Sequence, residues 1–102
     1  MQELNISGNP IENEGAIKVL QALGAAKTLE SIMMADCGFD ESEEVMQAIK
    51  FSMTHNKVLA RYDFKHNSIT SDDGIETLCD ILKDTPHVCY IGLSEWIQSD
   101  TY

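Results

Sequence analysis

With 102 residues, 43% of them hydrophobic, the chain has material for one domain with a modest core. No apolar run is long enough to span a membrane, and the stretch before Leu4 lacks the basic and apolar regions of a signal peptide. The formal net charge is −10 and the seven Lys and Arg are scattered, so a phosphate-binding surface, and with it nucleic acid as a partner, is not expected.

The first expected element is a short strand carrying Leu4 and Ile6 on one face, with Asn9 at the bend that ends it. Ala16, Val19, Leu20 and Leu23 then fall at helical spacing, behind a start at Asn13-Glu14. Leu29, Ile32, Met34 and Cys37 bring back the strand pattern. A second helical stripe follows in Val45, Met46, Ile49 and Met53, with Asp40 and Glu43 as its cap. Thr54-His55-Asn56-Lys57 reads as an exposed turn. The strand pattern returns in Leu59, Tyr62, Phe64 and Asn67, and Thr70-Ser71-Asp72-Asp73 opens a helix on Ile75, Leu78, Cys79 and Leu82 that Thr85-Pro86 closes. Val88, Ile91, Leu93 and Trp96 form the last phase.

Leu4, Ile32, Tyr62 and Ile91 are 28, 30 and 29 residues apart, so one structural unit is written four times. The shared pattern is apolar-x-x-apolar-x-apolar-x-x-(Asn/Cys)-x-apolar. Asn9 and Asn67 should be buried, pairing backbone groups at the bend, and Cys37 can take the same slot. Trp96 only donates and is expected where the ladder stops. On these residues the chain resembles the leucine-rich repeat family, and its period with helical second halves is similar to the ribonuclease-inhibitor subclass. The expected object is an α/β fold: a right-handed βα solenoid, a short horseshoe segment with a parallel inner sheet and outer helices. One domain over 1–102 divides into repeats 1–28, 29–58 and 59–87, with 88–102 as a partial repeat or cap.

What the resemblance implies for function is a protein-interaction scaffold. The subclass also admits enzyme inhibitors, small-GTPase activators, innate-immune sensors and actin-end-capping proteins of the tropomodulin kind; Asn56-Lys57-Val58-Leu59 with the Tyr62 to Ile69 motif resembles repeats of the last group. The positions expected to be exposed on the inner face are Glu3, Asn5, Ser7; Ser31, Met33, Ala35; Arg61, Asp63, Lys65; and Tyr90, Gly92, Ser94, with Asp36, His66 and Glu95 at the lip. Met33, Arg61, Asp63, Lys65, His66 and Tyr90 are the candidate partner-binding patch, combining the cations of the third row with an adaptable Met and an aromatic. The plainer alternative is that Arg61 and Asp63 neutralise each other on an exposed sheet.

Acidic residues concentrate at Glu12, Glu14, Glu41, Glu43, Glu44, Asp72, Asp73 and Glu76, either as a solubilising rim or as an edge that attracts a basic protein partner. Catalysis, cofactors and metals are not expected. Asp36 to Glu44 fails the calcium-loop pattern at Glu41 and Gln47, and His87 with Cys89 lacks further zinc ligands. Three cysteines, Cys37, Cys79 and Cys89, sit in or beside repeat slots and suggest structural, reduced thiols in a cytoplasmic protein. Leu4 and Ile6 open the array with a bare strand edge, consistent with a longer repeat protein or with association of chains; Trp96 to Tyr102 reads as a crude cap.

Overall fold

A computed structural model describes residues 2–93. Four short strands, β1 (Glu3–Asn5), β2 (Ser31–Met33), β3 (Arg61–Asp63) and β4 (Tyr90–Gly92), alternate with three helices, α1 (Glu12–Leu23), α2 (Glu43–His55) and α3 (Asp72–Lys83). The strands form one parallel sheet in chain order. Glu3, Ser31, Arg61 and Tyr90 lie side by side, as do Asn5, Met33, Asp63 and Gly92. The 28, 30 and 29-residue intervals are therefore the sheet register itself.

Strand ends turn the same way. Gly8, Asp36 and His66 occupy equivalent places, and all three have positive φ, +82°, +54° and +61°. Asp and His tolerate the left-handed region better than most residues, which lets the second and third units make the bend without glycine. The ladder continues past the strands through Gly8 N–H to Ala35 O and Asp36 N–H to Lys65 O, both 2.9 Å.

The core lies between one face of the sheet and the helices. Ile32, Met34, Tyr62 and Phe64 are buried with Ala16, Leu20, Leu23, Val45, Ile49 and Met53. Phe39 meets Phe64 edge-on at 5.7 Å between centroids, and the Tyr62 hydroxyl shares a hydrogen bond with Ser52 of α2 at 3.0 Å. Burial pushes the Tyr62 phenol up to about 12, against a smaller opposite pull from Ser52. Among the described residues no helix is long and apolar enough to cross a membrane.

Several local expectations are corrected. α1 begins at Glu12 with no side-chain cap. Asn13 instead reaches the next unit, donating to Asp40 Oδ1 at 3.0 Å and accepting the Asp40 N–H at 2.8 Å. With Asp40 so engaged, Ser42 caps α2 by accepting the Val45 N–H. Ser71 caps α3, inside the expected Thr70 to Asp73 stretch. On α3 the expected stripe Ile75, Leu78, Cys79 and Leu82 lines one hollow with Val88, Cys89 and Ile91, with Gly74 and Ile81 also buried; Cys79 and Cys89 are nevertheless exposed, and only Cys37 of the three thiols is buried. His55 belongs to the last turn of α2, not to a linker, with its ring stacked on Phe51 at 4.1 Å. Leu4, on the edge strand, is 43% exposed, since no further strand lies beside β1 among the described residues. Met1, Ser94, Glu95, Trp96 and the proposed cap to Tyr102 lie outside the described residues.

Candidate functional site

Alternation along a strand sends Leu4, Ile32, Tyr62 and Ile91 toward the helices and their neighbours to the other face. That second face holds a shallow hollow of about 250 Å³ lined by Glu3, Ser31, Met33, Arg61, Asp63, Lys65 and Tyr90. Five of the six candidate residues are thus brought together: Met33, Arg61, Asp63, Lys65 and Tyr90. His66 is exposed, but it sits at the left-handed turn beyond the strand and does not line the hollow.

Arg61 and Tyr90 are register partners on adjacent strands, and the guanidinium carbon lies 5.0 Å from the ring centroid. A planar cation on an aromatic face gives a stacked pair that keeps N–H donors at its edge. Asp63 turns Oδ1 to the backbone N–H of Lys65 at 3.0 Å, the same turn that Asn5 makes to Ser7 at 3.0 Å. Arg61 therefore stacks across strands, while Asp63 is engaged along its own strand.

Gly92 completes the floor. A Cβ there would fall 2.6 Å from Asp63 Oδ1 and 3.0 Å from the Tyr90 hydroxyl, so the missing side chain is what lets both polar groups lean over β4. Ser31, expected to be exposed, is only 5% accessible beneath its larger neighbours. Glu3, Asn5 and Asp36 are exposed as expected, and Met33, Ala35, Asp63, Lys65 and Tyr90 are half-buried.

The bend below this face is held by polar residues. Asn67 is buried, and its amide donates to Met34 O at 2.8 Å and Phe64 O at 3.1 Å while its Oδ1 accepts the Cys37 N–H at 2.9 Å. Cys37 fills the same slot one unit earlier, its Sγ 3.4 Å from Ile6 O. Burial raises the Cys37 thiol above its ordinary range, so it stays protonated as a donor. Asn9 makes the same bond to Ile6 O at 2.8 Å but is exposed, because it lies at the bend after the edge strand β1; its expected burial is corrected.

A second stitch was missed from sequence. Asn56, buried just past α2, donates to Leu23 O at 2.8 Å and Ala26 O at 2.7 Å and accepts the N–H groups of Val58 and Leu59, both at 2.9 Å. The available signal was an asparagine set between a helical stripe and the apolar pair Val58-Leu59.

The fold and site define an α/β domain of in-phase βα units that exposes one face of a parallel sheet, carrying a cation stacked on an aromatic. No protein-family model matches the sequence, and no curated protein matches it.

Proposed function

We propose that the chain is a leucine-rich repeat module of the ribonuclease-inhibitor-like type, a right-handed solenoid whose strand-lined face binds another protein in the cytoplasm. Support for the repeat reading comes from the in-register strands, the repeated left-handed turn at Gly8, Asp36 and His66, and the Asn67 and Cys37 stitches. The observation that carries the binding reading is the Arg61 guanidinium stacked on Tyr90 beside Met33. Arg, Tyr and Met are the residue types enriched in protein interfaces, and a stacked pair is ordered before a partner arrives. The module acts by recognition and not by catalysis.

A photo-crosslinking amino acid placed at Met33 or Glu3, and at Lys18 as an exposed helix control, tests this in cells. The expected result is a discrete protein adduct at the two sheet positions that disappears when Arg61→Glu is added. Equal labelling at Lys18, or adducts insensitive to Arg61→Glu, would overturn the reading.

A further inference from the structure

Two exposed thiols open on one apolar hollow. Cys79 lies on α3 with Ile75 and Leu82 a turn to either side, and Cys89 stands just before β4, next to Val88. All five line a hollow of about 310 Å³, to which Ile91 is added from β4, and among the described residues no charged side chain lines it. Ile75, Leu82, Val88 and Ile91 are half-buried, so apolar surface is open inside the hollow as well as the two sulfurs. The third thiol, Cys37, is fully buried at its bend and is an internal standard for the folded state.

We propose that this hollow is a covalent capture site for a small apolar electrophile, an α,β-unsaturated carbonyl compound with an alkyl chain, which adds to the thiols that line it. The walls select the chain: with no charged group among them they favour a hydrocarbon, by roughly fourfold in affinity for each methylene fully buried. The thiols select the reactive end. The thiolate sulfur forms a bond to the β carbon, the electron pair of the C=C bond passes to the carbonyl as an enolate, and the α carbon takes up a proton equivalent to the one the thiol released. Thiol and ligand are the only reactants, so the step needs no oxidant, reductant or leaving group. A chain seated between Leu82 and Val88 holds the β carbon beside a sulfur, which converts apolar binding into a faster reaction. The proposal stands whether or not the sheet face binds a protein.

The test treats the full chain, reduced and then freed of reductant, with the conjugated enals pentenal and nonenal, which are alike in their reacting atoms and differ in chain length. Peptide mass spectrometry maps and times the adducts. Cys79 and Cys89 together should be modified about tenfold or more faster by nonenal than by pentenal, with Cys37 unmodified, while glutathione, which has no hollow, reacts with both enals at similar rates. Nonanol, which has the chain without the electrophile, should slow the nonenal reaction and leave the pentenal reaction unchanged. Leu82→Ser should reduce the preference for nonenal with Cys37 still protected. Equal rates with the two enals, a preference that nonanol does not affect, or labelling of Cys37 alongside the other two would each overturn the proposal, the last by showing chain-length selection without the folded hollow.

Discussion

Asn67 holds the backbone of Cys37 from one strand away: its Oδ1 accepts the Cys37 N–H at 2.9 Å while its amide nitrogen takes the Met34 carbonyl at 2.8 Å. Both partners belong to the preceding unit, so the side chain joins two repeats at the point where each chain bends out of the sheet.

Asn67→Ala should cost roughly 2–4 kcal/mol, because buried donors and acceptors are orphaned at roughly 1–3 kcal/mol each. Asn9→Ala, where the equivalent bond is exposed, should cost under about 1 kcal/mol, since water replaces the lost partner. Urea unfolding of both variants gives the comparison. Equal losses would mean that the slot works through local turn geometry and not through the link between units.

The legible part of this fold was its period. Residues such as Ile32 and Tyr62 combine a fixed spacing with apolar side chains, and both follow from the need of each unit to bury the same face. Caps were less legible because Asn13 and Asp40 are good N-cap residues on local grounds yet bond to each other across 27 positions. On α3 the stripe Ile75, Leu78, Cys79 and Leu82 was legible, but the burial of Gly74 was not, because it depends on the Glu41 carboxylate of the preceding unit, 2.6 Å from where a Cβ would stand. Of the candidate site, five residues could be collected from alternation alone. The 29-residue spacing sets Arg61 beside Tyr90, but the placement of the guanidinium over the ring depends on side-chain conformation, which spacing does not encode.

Glu41 makes the neighbouring helix pH-sensitive. Burial alone would raise its carboxyl, but hydrogen bonds from the Ser71 hydroxyl and N–H, and from Thr70 and Gly74, outweigh it and hold the group below its ordinary 4.5. A depressed folded value stabilises above the ordinary pKa and loses that contribution as pH falls through the folded value. Wild type should therefore lose stability below about pH 4.5 more steeply than Glu41→Gln in parallel thermal melts. Gly74→Ala should also destabilise, reversing the usual gain from replacing a helical glycine, because the new methyl displaces this carboxylate.

Tyr62 acts at the other end of the scale. Its phenol is raised to about 12, so the neutral form is favoured in the fold. That contribution is complete below the ordinary value near 10 and disappears as pH rises through the folded value. Alkaline unfolding should be shallower in Tyr62→Phe than in wild type. At pH 7 the same substitution should cost about 1 kcal/mol through the lost bond to Ser52, whose hydroxyl can turn back to its own helix. A spectroscopic titration in which Tyr62 ionises at the ordinary tyrosine value near 10 would contradict the assigned burial.

Gly92→Ala separates the sheet face from the stability of the fold. The glycine lies in an ordinary strand position, so alanine adds no backbone strain, and the new methyl points at groups on the exposed side: Asp63 Oδ1 at 2.6 Å and the Tyr90 hydroxyl at 3.0 Å. Neither is core, and each can move, but Asp63 must then release or stretch its bond to the Lys65 N–H and Tyr90 must slide from beneath Arg61. The expected outcome is a stability change under about 1 kcal/mol, comparable to other surface substitutions, together with loss of the photo-crosslinked adduct at Met33. Amide NMR shifts confined to Asp63, Lys65, Tyr90 and Arg61 would locate the effect on the face. An adduct that survives with those shifts present would show that the stacked pair is not what the partner recognises.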